Sequence, residues 1–339
     1  MTRRTLLLLA LAAPLLTATA ATRPAGTRPH FDLSRAEIRD FIVQAAARTG
    51  LAREAITALL AQAEPQASIL EAISRPAEAV LPWWQYRERF LTARRIDAGL
   101  AFWATHDALL ARVAAERGVP AEYLVAILGV ETSYGRITGR YRVLDALATL
   151  GFDFPARSAY FRGELEEFLL LVKEDSLDPL AVRGSYAGAI GAPQFMPSSI
   201  RRYAVDVAGK GRRDLWNDWD DVLASVANYL LAQGWKTGEP VMVDAGSPTD
   251  RDDPLAFRLE IGDTLGGIRG RGYVVGSTLP DATPALLVPA EQAESMSWRV
   301  GFTNFYVITR YNRSPRYAMA VHDLAQALRS RRDTPEPSA

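Results

Sequence analysis

The 339-residue chain contains no cysteine. That single absence excludes disulfides, thiolate metal sites, a cysteine nucleophile and a lipid-modified cysteine. Histidine is nearly as scarce: His30, His106 and His322 are the three present, and their wide separation argues against a histidine-rich metal centre. Neither sign of charge is in excess, since 39 Lys and Arg balance 39 Asp and Glu. A protein held electrostatically on nucleic acid is usually basic, so nucleic acid is not expected as a partner. No apolar run of membrane length follows the first twenty residues. Apolar residues make up 48% and charged residues 23%, a globular composition.

What is present begins with Arg3 and Arg4, an apolar run from Leu6 to Leu16, and the small residues Thr17 to Ala21. A basic segment, a short apolar core and a small-residue cleavage site read as a secretory signal peptide over residues 1–20. Without a cysteine to carry a lipid, a soluble periplasmic protein is expected. Residues 21–30 read as a flexible lead-in.

Ser34 and Glu37 have capping-box spacing, Ile38, Phe41, Ile42 and Ala45 form a helical stripe, and Gly50 is placed to stop it. A second helix is expected over 53–63 and one long helix over 90–117, ended by Gly118. Pro120 then opens a helix that ends at Glu131. Further helices are expected over 141–151, 164–173, 221–233 and 317–328, with Ser198 or Ser199 capping another that runs to about Val207. From Pro240 the texture changes to short β-type runs at 241–243, 256–259 and 273–275, separated by Gly, Pro and Asp. The fold class is mainly α (α+β). Its expected parts are a helical N-terminal region (31–110), a core (111–239), a small β-containing insertion (240–300), a segment completing the core (301–330) and a disordered tail (331–339).

Two stretches carry the chemistry. In the first, Glu131 closes the apolar segment from Tyr123 to Val130 and is followed by Thr132, Ser133, Tyr134 and Gly135. Burial disfavours a charged carboxylate, which suits general acid work, although structural ion pairs place acids in similar surroundings. In the second, Gly184, Gly188 and Gly191 permit close backbone approach. Packing explains the glycines, but it does not explain the polar Gln194 between Pro193 and Phe195-Met196-Pro197. No Gly-Lys-Ser/Thr follows, so this is not a phosphate loop. Elsewhere Trp83, Trp84 and Tyr86 fit either a core or a platform stacking on a sugar face, and Asn228 fits either a buried cap or a ligand contact. The basic run over 201–213 reads as a solvated surface.

Glu131-Thr132-Ser133-Tyr134-Gly135, the stretch from Gly184 to Ser199, Ser225-Val226-Ala227-Asn228-Tyr229 and Thr309-Arg310-Tyr311-Asn312-Arg313-Ser314 occur in this order. Together they resemble the lytic murein transglycosylase B family over about residues 31–330. The resemblance implies a lysozyme-like catalytic core that cleaves the β-1,4 bond from N-acetylmuramic acid to N-acetylglucosamine in peptidoglycan, leaving 1,6-anhydromuramic ends. It implies Glu131 as the single catalytic acid, acting as acid and then as base, without a cofactor. Ser185 and Gln194 match positions that contact the sugar and steady the acid. Phe195, Tyr86, Tyr160, Tyr229, Tyr311, Asn312 and Tyr317 match groove-lining positions, and Arg157 a position that meets the peptide stem. The partners implied are glycan strands of peptidoglycan, met by a monomer with no integral membrane segment after signal removal. A hydrolytic muramidase and a non-catalytic peptidoglycan-binding scaffold are the alternatives. Family members can carry an acid-rich calcium loop near Asp206. Here Ala208 and Lys210 interrupt it, so no metal is expected, with Lys210 pairing to Asp206 or Asp221 instead.

Overall fold

The computed structural model describes residues 30–74, 81–248 and 258–334. The sequence assignments to residues 1–29 and 335–339 therefore lie outside the described residues. Helices α1 (Ala36–Thr49), α2 (Arg53–Leu60), α3 (Ala67–Ile73) and α4 (Trp83–Glu88) lead into α5 (Ala93–Thr105) and α6 (Asp107–Arg117). The central helix α7 (Ala121–Thr132) follows. Then come β1 (Tyr141–Arg142), α8 (Val143–Asp153), α9 (Ser158–Glu174), β2 (Arg183–Gly184), α10 (Pro197–Tyr203) and α11 (Trp219–Ala232). A β-rich part holds β3 (Met242–Gly246), β4 (Asp263–Thr264), α12 (Leu265–Gly270), β5 (Val274–Val275), β6 (Pro284–Glu291) and β7 (Met296–Gly301). Helices α13 (Thr303–Ile308) and α14 (Pro315–Asp333) return to the core.

Helix α7 is apolar all round and every residue from Glu122 to Gly129 is buried. A helix without a polar face must be enclosed, and α14, α5, α6 and α11 enclose it. Fully burying each Leu, Ile or Val contributes roughly 1.5–3 kcal/mol, so the rod that ends at Glu131 is firmly held. The same apolar cluster runs from Phe31 and Ile38 in the N-terminal helices to Leu328 in α14. The helical N-terminal region thus shares one core with the rest.

The antiparallel sheet has the order β4-β6-β7-β3-β5. Along β6, Leu286, Val288 and Ala290 alternate inward and join the main core. The small α12 side has its own cluster of Leu265, Ile268, Tyr273, Val275, Ala285, Val300 and Phe302.

Several local expectations are corrected. The single helix over 90–117 is two, parted at His106 (φ −115°, ψ 23°), whose ring packs on Phe102 and Trp219. Ser34 and Glu37 form no capping box. Ser34 Oγ donates to Asp32 (2.6 Å), and Glu37 accepts from Arg35 (2.8 Å). Neither Ser198 nor Ser199 caps α10, which begins at Pro197 after Met196 and ends at Tyr203; Ser198 Oγ donates instead to Glu164 of α9 (2.6 Å). Arg258 and Leu259 lie outside any strand, and residues 256–257 outside the described residues. Residues 331–333, expected in a disordered tail, continue α14.

Candidate active site

The site is built where α7 stops. Ser133 enters the left-handed region (φ 51°) and so does Tyr134 (φ 64°). Tyr134 N–H reaches back to Leu128 O (2.9 Å) and Ser133 N–H to Gly129 O (3.3 Å), so two of the last carbonyls of the helix are satisfied by the turn itself. Left-handed backbone without glycine costs of order 1–3 kcal/mol per residue and persists only where the surroundings enforce it. Tyr134 is the enforcing group. Its ring wedges between α5 and α7, where a Cβ on Gly99 would lie 2.4 Å from its hydroxyl and one on Gly129 2.8 Å from its ring. Its hydroxyl donates to Arg95 O (2.9 Å). Thr132 Oγ1 ties the same turn to Ala192 O (2.9 Å) and accepts from Gly135 N–H (2.9 Å). The backbone on either side of Glu131 is therefore fixed twice over.

Glu131 is half-buried, and its Oε1 accepts a 2.6 Å hydrogen bond from the hydroxyl of Tyr317, in the first turn of α14. Burial and the adjacent Glu131 charge hold the Tyr317 hydroxyl well above its ordinary pKa, and they act on Tyr311 in the same way. Both phenols are thus neutral donors. Among the described residues, Glu131 is the one carboxylate acting on these two hydroxyls.

An aromatic wall leads away from the acid. Tyr311 stacks on Tyr317 (6.3 Å between centroids, 14°), and Tyr229 meets Tyr311 edge-on (4.9 Å). Phe195 packs at 5.4 Å from Tyr229 and 5.6 Å from Tyr311. Backbone carbonyls pin the hydroxyls: Tyr311 donates to Pro193 O (2.6 Å) and Tyr229 to Arg310 O (2.5 Å). Phe195, Tyr229 and Tyr317 are buried, so the wall offers edges rather than open faces. Tyr160 is the exposed member at 43%, with Arg157 held 4.6 Å over its ring. Tyr86 is buried between Trp83 (6.5 Å) and Phe90 (5.1 Å) and lies near enough to Tyr317 to act on its hydroxyl. Trp83 is fully buried core, not a platform. Asn312 lies in the turn between α13 and α14.

In the glycine-rich stretch the backbones nearly touch. A Cβ on Gly184 would meet Ala189 O at 2.2 Å. Ser185 Oγ accepts from Ala187 N–H (3.3 Å) and Ala189 N–H (3.1 Å), which leaves its own O–H to donate. Gln194 adopts φ 51°, and its amide nitrogen donates to Thr138 O (3.0 Å) and Gly191 O (2.9 Å). Both amide protons are thereby occupied and the side-chain oxygen remains as an acceptor. Asn228 is the cap of the two readings, donating to Tyr203 O (2.8 Å).

Two groups to which no individual role was assigned from sequence complete the site. Tyr134 is one. The other is Glu291 at the end of β6, whose Oε2 accepts from Trp83 N–H (3.0 Å) and whose Oε1 accepts from Arg316 Nη2 (3.0 Å).

The loop after Asp206 does not fit calcium. Lys210 Nζ pairs with Asp218, not with Asp206 or Asp221 as expected. Asp206 is occupied by the N–H groups of Lys210 (3.0 Å) and Gly211 (2.7 Å), and Asp221 by those of Val207 (2.9 Å) and Asp214 (3.0 Å). Calcium takes six to eight oxygens; here the acids already have partners and a cation already sits among them.

The family model described as the transglycosylase SLT domain matches residues 34–326. The chain is 39% identical over 299 residues to membrane-bound lytic murein transglycosylase B of Escherichia coli (strain K12), covering 86% of this chain and 82% of that protein. Its fold is similar to the catenated lytic transglycosylase SltB1 from Pseudomonas aeruginosa (TM-score 0.83, 45% identity, 88% of this chain and 98% of that one). It is also similar to SltB3 from Pseudomonas aeruginosa in complex with NAG-NAM-pentapeptide (TM-score 0.72, 31% identity, 86% and 78%). The chain belongs to the transglycosylase SLT domain family.

Proposed function

We propose that this protein is a lytic transglycosylase that cleaves the β-1,4 bond between N-acetylmuramic acid and N-acetylglucosamine in peptidoglycan. The observation that carries the reading is the carboxylate of Glu131, held by Tyr317 at the head of an aromatic wall and, among the described residues, the one acid acting on the Tyr311 and Tyr317 hydroxyls. Glycosidases of the usual kind need two carboxylates. Here one carboxylate performs both proton transfers. Glu131 donates its proton to the glycosidic oxygen, and the C1–O bond breaks with its electron pair leaving on that oxygen. The substrate's own N-acetyl oxygen supports the electron-poor C1. Glu131, now a carboxylate, removes the proton from the C6 hydroxyl as that oxygen bonds to C1, closing the 1,6-anhydro ring. No water is consumed and the enzyme ends with its proton restored. The Tyr317 donor stabilises Glu131 in its charged interval, and the acceptor on Gln194 with the donor on Ser185 orients the sugar.

Two features of the sequence support export to the periplasm without a lipid anchor: the residue 1–20 signal and the absence of cysteine. Among the described residues no helix is long and apolar enough to cross a membrane. N-terminal sequencing of the mature protein from a periplasmic extract tests this, and an unprocessed chain would refute it. The activity is tested by digesting purified sacculi and weighing the fragments. Ends lighter by one water are expected, whereas ordinary reducing ends would replace this reading with a muramidase.

A further inference from the structure

A cavity of about 750 Å³ opens beside the aromatic wall, with Tyr229 in its lining. Its lining is mostly polar, and its charges do not balance. Arg201 is neutralised by Glu167 and by Glu174 (2.7 Å). Arg202 and Arg310 are exposed, and neither meets a carboxylate among the described residues. Arg202 lies 5.9 Å over the Tyr203 ring, and the Arg310 charge acts on the Tyr229 hydroxyl. Ser199 adds a hydroxyl to the same lining. Two planar guanidinium groups that meet no carboxylate among the described residues, both lining one polar cavity, suit bidentate carboxylates.

The cavity is joined to the reaction centre by contact. Tyr229 lines it, Tyr229 touches Tyr311, Tyr311 stacks on Tyr317, and Tyr317 donates to Glu131. Three side-chain contacts thus separate the cavity from the acid, and a group bound here belongs to a substituent of the glycan rather than to the reacting bond. In a peptidoglycan strand the muramic residue bears such a group, a peptide stem ending in free carboxylates. We infer that Arg202 and Arg310 form a second carboxylate-binding site for the stem peptide, beyond Arg157 on Tyr160. This rests on the peptidoglycan reading above and makes the enzyme prefer stem-bearing strands to naked ones.

The test is a binding measurement that needs no turnover. In Glu131→Gln protein, calorimetry compares NAG-NAM-pentapeptide with the same disaccharide lacking the peptide. Adding Arg202→Gln and Arg310→Gln is expected to weaken the pentapeptide ligand about tenfold. That figure reflects two solvent-exposed charge-assisted contacts discounted for screening. Affinity for the peptide-free disaccharide stays the same. Equal weakening of both ligands, or of neither, overturns the proposal. Should the double variant not fold, the ligand is changed instead. Amidating the pentapeptide's carboxylates must then cost the Glu131→Gln protein the same tenfold, and unchanged affinity overturns the site. Anhydro ends released by the wild-type protein test the activity separately, so the two readings fail independently.

Discussion

The hydroxyl of Tyr317 lies 2.6 Å from Oε1 of Glu131, although the two residues are 186 positions apart. Helix α14 packs against α7 along the core, and that packing brings the phenol over the acid. A neutral donor at this distance selects the charged form of its partner, which catalysis by a single carboxylate creates and then consumes. Tyr317→Phe removes the donor and keeps the ring. A hydrogen bond to a charged group contributes about 1.5–3 kcal/mol, so kcat is expected to fall roughly tenfold to a hundredfold with KM little changed. Glu131→Gln is expected to abolish turnover. Steady-state kinetics on soluble glycan strands decide it; an unaltered kcat in Tyr317→Phe removes Tyr317 from the mechanism.

The turn that presents Glu131 depends on Tyr134 filling the gap between Gly99 and Gly129. A methyl group at Gly129 would overlap the ring at 2.8 Å. Overpacking of this kind costs about 1–3 kcal/mol, and Gly129→Ala is expected to lower thermal stability and kcat together. The two positions share one gap, so combining it with Tyr134→Leu should cost less than the two single losses added. A strictly additive double variant refutes the wedge.

Much of this arrangement was legible in the residues. Helix α7 declared itself by an unbroken apolar run, and Glu131 stood out as the acid closing it. Contacts between distant segments were not legible. Periodicity runs unbroken through His106, so nothing local marked the break between α5 and α6. The capping box failed because Asp32 and Arg35 compete for its two members. Ser198 was taken by Glu164, 34 residues upstream. Tyr134 reads as an ordinary aromatic until two glycines, 30 positions apart in the sequence, meet on either side of its ring.

His322 gives the stability a pH dependence. Burial pushes its pKa down to about 4, with Asp323 and Asp244 opposing and Arg299 reinforcing the shift; Nδ1 is paired with Tyr123 Oη at 2.9 Å. The unfolded chain, near 6.5, binds the proton more readily than the native state does. The stabilisation is therefore complete above about pH 6.5 and is lost as pH falls toward 4, by on the order of 2–3 kcal/mol. Melting curves across that window are expected to flatten in His322→Gln. An identical slope in the variant excludes His322 as the source.

The Lys210 pairing makes a prediction about metal. Its ammonium is matched to Asp218, with Asp206 and Asp221 acting on it from nearby. Added calcium or a chelator is expected to leave the melting temperature unchanged, and Lys210→Glu, which sets a fourth acid among the three, to lower it. Calcium-dependent stabilisation of the wild-type chain would show that the loop opens to accept the ion.

Glu291 is the last group to test, because it couples the sheet to the site. Its two oxygens hold the start of α4, which carries Tyr86, and Arg316, the neighbour of Tyr317. It acts by fixing the elements that place Tyr317. Each bond contributes about 0.5–1.5 kcal/mol to stability, with more for the one to Arg316. Glu291→Ala should therefore lower thermal stability modestly while kcat falls severalfold at near-constant KM. Displacing the Tyr317 hydroxyl weakens the bond made to the charged acid and leaves Gln194 and Ser185, the groups proposed to orient the glycan, in place. The decisive comparison is Glu291→Ala in a Tyr317→Phe background. If Glu291 works through Tyr317, its removal costs no further kcat there; a full independent loss would assign it a separate role.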